Sequence, residues 1–280
     1  MTILVFTIVV AVGSFGAGLL GALTGLGGGV VIVPLLVGLL HVDIHYAMGA
    51  SLVSVIATSS GAAAAYVREG YSNVRLGMLL EVGTTIGALC GATLAAHVPA
   101  RGLAIVFGCV LLYSAYLSRP HTEADAGPVG PDPLAIRLQL DSTLPTPAGP
   151  VPYHVTRVPA GFTLMYGAGV LSGLLGIGSG AVKVLALDRA MRLPFKVSTT
   201  TSNFMIGVTA AASAGVYLHR GFIDPGLAMP VVIGVLIGST VGARVLANAR
   251  TAWLRALFAL VIVALAIEML YNGFAGRIGG

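Results

Sequence analysis

Charge is what this sequence lacks most. Asp, Glu, Lys and Arg make up 9% of its 280 residues and apolar side chains 56%, whereas a soluble domain carries about 25% charged residues. That shortage excludes an ordinary water-soluble fold and predicts a protein embedded in the lipid bilayer. Cysteine is nearly absent: Cys90 and Cys109 lie inside apolar stretches with no CxxC spacing or His partner, so both read as small buried apolar side chains. There is no HExxH motif, no Ser/His dyad and no pair of intramembrane Asp residues. The six histidines fall in loops without metal-ligand spacing, so nothing points to an enzyme, a metal centre or a cofactor. No Lys or Arg precedes Arg68; residues 3–22 therefore lack the basic region of a signal peptide and are expected as a mature helix.

The apolar residues are arranged in long runs. Eight stretches are long enough for a membrane crossing, which takes about 20 residues: 3–22, 47–67, 76–96, 102–118, 160–176, 197–217, 226–247 and 253–272. Two shorter pieces, 29–40 and 180–191, each follow a glycine motif, Gly25, Gly27, Gly29 in one case and Gly176, Gly178, Gly180 in the other. The motifs are 151 residues apart, and sliding the chain by that offset gives 27 identities over the 99 positions from Gly16 to Ser114 without a gap. The chain is therefore a duplication: a first transmembrane repeat over 1–118, a Pro-rich linker over 119–159 and a second repeat over 160–280.

Whether the two short pieces cross the membrane decides how the copies are oriented. If both cross, Arg68, Arg75, Arg119, Arg137, Arg157, Arg189, Arg192, Lys196, Arg244, Arg250 and Arg255 lie on one side and only Arg101, Arg220 and Arg277 on the other. If both merely dip in and return, the same charges divide evenly, against the cytoplasmic excess of Lys and Arg that orients most membrane proteins. The expected fold is thus an all-α polytopic membrane protein of about ten segments, eight full helices plus two short ones after Gly-rich breaks, in two inverted five-segment repeats. Both termini are then outside the cytoplasm and the linker inside. A net charge of +5 is explained by this topology; the basic residues form no cluster for nucleic acid. The linker holds 9 of the 14 prolines, and partial alternation over Leu134–Leu140 and Val151–Val158 is consistent with a short hairpin or with an irregular tether.

Non-helical backbone at membrane depth survives only where protein or a water-filled cavity satisfies it. Alternating glycines let the chain break and restart as a helix whose N-terminus favours anions. Two such ends aimed at one centre from inverted copies make a midplane anion site; the plainer alternative is glycine used for close helix packing. The expected ligands are backbone N–H groups of Gly27, Gly28, Gly29, Gly178, Ser179 and Gly180. Lys183, inside an apolar run one turn past Gly180, either attracts the anion or snorkels to the interface or pairs with Asp188. The polar run Ser198 to Asn203 opens the next span; Ser198 reads as a cap, Ser202 and Asn203 as ligands, and Ser51 aligns with Ser202 at the repeat offset. Ser54 and Thr58 continue that face. Glu81, about two turns into its span, is a candidate for proton coupling or the partner of Arg75. Gly83, Gly87, Gly91 and Gly234, Gly238, Gly242 recur every four residues on unbroken helices and read as packing faces, between the copies or with a second subunit in a homodimer.

These residues resemble the TauE/SafE family of membrane exporters. The resemblance covers both repeats and rests on Gly25-Leu26-Gly27-Gly28-Gly29 with Val33-Pro34, on Gly176-Ile177-Gly178-Ser179-Gly180, and on the stretch Lys196 to Val208. It departs at Ser179, where a glycine is expected, and at Leu185, where a proline is. It implies export of sulfite or of organosulfonates such as sulfoacetate from the cytoplasm across the inner (plasma) membrane, driven by the proton gradient, with the anion and protons as partners. An anion channel and a non-transporting membrane ligand-binding partner remain as alternative readings.

Overall fold

The computed structural model describes residues 3–24, 28–68, 70–117, 132–146, 149–246 and 251–275. Helix α1 (Ile3–Thr24) ends just before the first glycine motif. The chain restarts as α2 (Gly29–Pro34), which widens into a π turn over Leu35–Leu39, and continues through α3 (Ile44–Arg68), α4 (Val74–Ala95) and α5 (Ala100–Leu117). After the linker, α7 (Val158–Leu175), α8 (Gly180–Leu185) with a π turn over Ala186–Ala190, α9 (Phe195–His219), α10 (Pro225–Leu246) and α11 (Thr251–Phe274) follow. The bounds of α2, both π turns, α3 and α4 recur in α8, α9 and α10 displaced by the 151 residues of the duplication.

The breaks are built alike. Gly28 (φ 72°) and its counterpart Ser179 (φ 47°) are both in the left-handed region as N-caps of the short helices. Both short helices also end alike. His41 (φ 53°) and Arg192 (φ 56°) are left-handed, and the next N–H folds back onto a π-turn carbonyl, Val42 to Leu36 at 3.0 Å and Leu193 to Leu187 at 3.1 Å. This is a widened form of the left-handed helix cap. It occurs with Pro34 in one copy and with Leu185 in the other, so the proline ring does not cause it and its loss at Leu185 leaves the local geometry intact.

The copies interlock. α1 packs along α10 and α4 along α7, two contacts that interchange when the copies are swapped; α3 packs on α9 and α5 on α11, each on its own counterpart. Glycine makes the exchanged contacts close. A Cβ at Gly87 or Gly91 would fall on the carbonyls of Tyr166 or Val170 of α7, and one at Gly234 or Gly238 on those of Ala11 or Phe15 of α1. These glycine stripes therefore join the two copies. Around the bundle, Leu4, Ile8, Val12, Met78, Val82, Ile86, Ile233 and Ile237 face outward, as lipid requires and water would not tolerate. Cys90 and Cys109 are exposed as well; each sits on a face that neighbouring helices leave uncovered, not in the interior expected of a small apolar side chain. Four described helices are long and apolar enough to cross a bilayer, at Leu4–Gly21, Val74–Ala95, Val158–Leu175 and Pro225–Gly242.

In the linker, Leu134–Leu140 is not a strand. Asp132 accepts from Leu134 N at 2.9 Å and Pro133 occupies the first turn, so Pro133–Arg137 forms a short helix, α6. Strand β1 (Ser142–Thr146) pairs antiparallel with β2 (Gly149–Tyr153). The linker is docked rather than tethered: Asn73 caps α4 at Leu76 N (3.0 Å) and donates to Leu140 O (2.8 Å) and to the Tyr153 hydroxyl (3.1 Å). Arg75 donates to Gln139 O at 3.0 Å. Burial raises the pKa of the Tyr153 hydroxyl above its ordinary value.

Overpacking a close contact costs about 1–3 kcal/mol or more. Gly87→Leu and Gly91→Leu are expected to lower the unfolding midpoint in detergent, while Gly167→Ala, where a Cβ meets nothing within 4 Å, leaves it unchanged or raises it. Equal effects at all three sites would refute the interlocking face.

Candidate functional site

The two breaks meet. A Cβ at Gly29 would lie 2.6 Å from Val55 Cγ2 and 3.4 Å from the carbonyl of Ile177, in the other break; one at Gly178 would lie 2.8 Å from Ile206 Cγ2 and 3.0 Å from Val55 Cγ1. Helices α3 and α9 supply the surrounding wall with one repeated face. Ser51, Val55 and Thr58 on α3 correspond at the repeat offset to Ser202, Ile206 and Thr209 on α9, spaced so that all three share a helix face. Of the expected backbone ligands, Gly28, Gly29, Gly178, Ser179 and Gly180 are buried, and Gly29 and Gly178 share Val55 as a neighbour; Gly27 lies outside the described residues. Val55 lies against both Gly29 and Gly178, and Ile206 against Gly178.

The serines are engaged differently from expectation. Ser51 donates to Gly29 O and Ser202 to Gly180 O, each at 3.3 Å, so both hydroxyl protons are spent on carbonyls of the broken helices. This satisfies buried backbone acceptors and leaves only lone pairs free. Ser198 is not a cap: α9 starts after Pro194, and the Ser198 hydroxyl donates to Leu193 O at 3.4 Å. Thr200 donates to Tyr71 O and Thr201 accepts from Asn73 N, both at 3.0 Å, so much of the polar run binds α9 to the loop before α4. Ser54 and Thr58 likewise donate to carbonyls of their own helix. Asn203 is buried at 5% exposure on the stripe that carries Gly207, which faces Ser59 of α3. The Ser179 hydroxyl differs from these, being buried with no hydrogen-bond partner.

Lys183 neither snorkels nor turns to Asp188. Its side chain is fully buried, and its ammonium donates to the hydroxyl of Thr209 and stands 3.8 Å from Glu81 Oε2. Thr209 in turn donates to Glu81 Oε1 at 2.6 Å. Thr85 donates to the same oxygen at 3.3 Å, and Oε2 accepts no hydrogen bond. Glu81 is thus not the partner of Arg75, which is held by Gln139. The two isolated intramembrane charges form one neutral unit, drawn from α8 of the second copy and α4 of the first and bridged by α9. Their counterparts at the repeat offset are Ile32 and Val232, so only one half of the duplicated scaffold carries it.

Sequence reasoning overlooked Thr209. The signal was present, since Thr209 and Thr58 are identical at the repeat offset and follow Ser202 and Ser51 by two helical turns. Glu268 of α11 was overlooked too; it is a further acid within an apolar run, and its carboxylate packs over Gly38. Among the described residues no group of His, Cys, Asp and Glu could hold a metal ion.

Removing one member of a buried ion pair costs about 3–5 kcal/mol because the other is left uncompensated, whereas replacing both by apolar groups is often neutral. Lys183→Met and Glu81→Leu are each expected to lower stability strongly, and the double variant to recover most of the loss, in chemical denaturation of the purified protein. Additive losses would mean that the two groups do not interact.

Comparison with known proteins places this geometry. The model of the family described as "Sulfite exporter TauE/SafE" matches residues 10–269. "Probable membrane transporter protein YunE" of Bacillus subtilis (strain 168) is 27% identical over 281 residues, covering 96% of this chain and 98% of the relative. "Probable membrane transporter protein YdhB" of the same organism is 30% identical over 236 residues, covering 81% and 85%. A "Probable membrane transporter protein" of Xylella fastidiosa (strain 9a5c) is 24% identical, covering 97% and 98%. No solved structure matches. With the family model spanning nearly the whole chain and the outward faces of its helices apolar, the protein belongs to the TauE/SafE family and is a multi-pass membrane protein of the transporter type.

Proposed function

We propose that this protein is a secondary transporter that exports a small sulfur-containing oxyanion, sulfite or an organosulfonate such as sulfoacetate, from the cytoplasm by alternating access with proton coupling. The observation that carries the reading is the meeting of the two helix breaks beside a buried lysine. The first turns of α2 and α8 present backbone N–H groups at membrane depth, the unpartnered Ser179 hydroxyl is available as a donor, and Lys183 supplies positive charge one turn along α8. The name of the family supports sulfite as the first substrate to try.

The topology proposed with it has ten membrane segments in two inverted repeats in the plasma membrane, with both termini outside and the linker in the cytoplasm. The exchanged contacts of α1 with α10 and α4 with α7 support a two-fold relation between the copies, and the lopsided distribution of Lys and Arg supports an axis lying in the membrane plane. Val55 and Ile206 occlude the breaks in this conformation. Substrate entry therefore requires α3 and α9 to slide or rock against each other, which suits a carrier with two gates and not an open pore.

The reading is tested by reconstituting the purified protein into liposomes loaded with labelled sulfite or sulfoacetate. Saturable counterflow is expected, together with a rise in unfolding temperature on adding the transported anion, since a ligand that prefers the native state stabilises it. Ohmic current far above carrier turnover would instead mark an anion channel, and the absence of flux under any gradient a non-transporting binding partner.

A further inference from the structure

We propose that Glu81 is a built-in counter-anion for Lys183, holding the lysine when the site is empty and releasing it to the substrate on taking up a proton, so that anion and proton bind together and cross in the same direction. This rests on the reading of the site as an oxyanion transporter and specifies its coupling.

The argument is one of charge balance in a dehydrated place. Lys183 and Glu81 are 0% and 9% exposed and together neutral. Adding one monoanion would leave a net negative charge at membrane depth, which is heavily penalised without compensation. One proton restores neutrality: a protonated Glu81, a charged Lys183 and the bound anion sum to zero. The geometry favours this exchange. Oε2, the carboxylate oxygen nearer the ammonium, accepts no hydrogen bond, while Oε1 already accepts from Thr209 and Thr85. A proton arriving from bulk water on Oε2 cancels the attraction to Lys183 without breaking either threonine bond. At 3.8 Å the ammonium and carboxylate are beyond the roughly 2.7–2.9 Å of a closed charge-assisted hydrogen bond. Among the described residues, the three-donor ammonium makes one hydrogen bond, to Thr209, so it has donors to offer an oxyanion.

Among the described residues, Lys183 is the charged group within ion-pair distance of Glu81. On α4, Arg75 is held by Gln139 and Cys90 faces outward. On α7, Tyr166 is on an exposed position and its carbonyl lies against Gly87. On α9, Lys196 lies over the ring of Tyr71, Tyr217 donates to Gly173 O, and His219 closes the last turn. From the linker, the Tyr153 hydroxyl is bound by Asn73. Asp188 and Arg189, on the turn after α8, have partners of their own. On this scheme an inward proton gradient opposes export, the reverse of the drive that the family resemblance implies, and the anion's own gradient moves both species outward.

The test uses the purified full-length chain and methanesulfonate, a monoanion at every pH used, so that proton uptake cannot come from the probe. Calorimetry in two buffers of different ionisation heat is expected to show about one proton taken up per anion bound, and affinity is expected to fall up to tenfold per pH unit on the alkaline side, with the tighter binding at acid pH. Glu81→Gln, which keeps an acceptor for Thr209, should bind with no proton uptake and no pH dependence. Glu81→Asp should restore both, which a merely structural role would not do. Binding without proton uptake in the wild type, or uptake persisting in Glu81→Gln, overturns the proposal while leaving the transporter reading intact. If none of methanesulfonate, sulfite and sulfoacetate binds the wild type at any pH, the transporter reading falls and the proposal falls with it.

Discussion

Backbone that leaves the helix at membrane depth must find partners for its N–H and C=O groups within the protein, and much of this molecule is arranged around that requirement. Neither break can stand alone in lipid. Each is closed partly from within, as where Gly28 O accepts from Val31 N and Ser179 O from Lys183 N. Each is closed partly from the next long helix, through Ser51 on Gly29 and Ser202 on Gly180. The remaining exposure is removed by setting the breaks against each other between α3 and α9.

The duplicated scaffold is close to symmetric, but its charge is not. The short-helix N-caps, the π turns, the serine bonds and the left-handed pairs Gly28/Ser179, His41/Arg192 and Gly70/Gly221 recur at the repeat offset, so that at Ser179 a serine adopts the backbone that Gly28 adopts. The threonine at 58 and 209 recurs as well. Lys183 and Glu81 do not: their counterparts are isoleucine and valine. A symmetric frame can exchange two conformations of similar energy, since the copies can trade roles; on the proposed function, the single charged unit would give that exchange a ligand and an ion to respond to.

The parts of this arrangement that were legible in the sequence are those that the duplication writes twice. The breaks, the short helices after them and the glycine stripes each appear in both copies at one offset, so a weak local signal gains a second, independent occurrence. What was not legible is tertiary pairing. Thr209 and Glu81 are 128 residues apart, and no periodicity relates α4 of one copy to α8 and α9 of the other, so two buried charges read as separate problems with separate nearby partners. Ser51 and Ser202 were legible as polar groups near the breaks, but a hydroxyl that can donate to a ligand can equally donate to a carbonyl, and at membrane depth the carbonyl has the prior claim. The stretch Leu134–Leu140 misled for a local reason: its partial alternation suits a strand, but Asp132 followed by Pro133 is a helix start, and the start prevailed over the pattern.

Under the proposed transport function, the pairing of Lys183 with Glu81 also changes what a buried lysine would do. Read alone, a cation beside two helix N-termini is a simple anion trap, and such a trap would hold its guest too firmly for a carrier that must release it. On the proposed function, because a carboxylate already answers the lysine, the empty site is neutral and an incoming anion would meet a competitor tethered in place. Binding then reflects the difference between two ion pairs and not the full attraction of one, which moderates affinity and lets protonation of the competitor tune it. A site built this way can open to either side without stranding an unpaired charge in lipid, and that condition must hold for the empty carrier as well as for the loaded one.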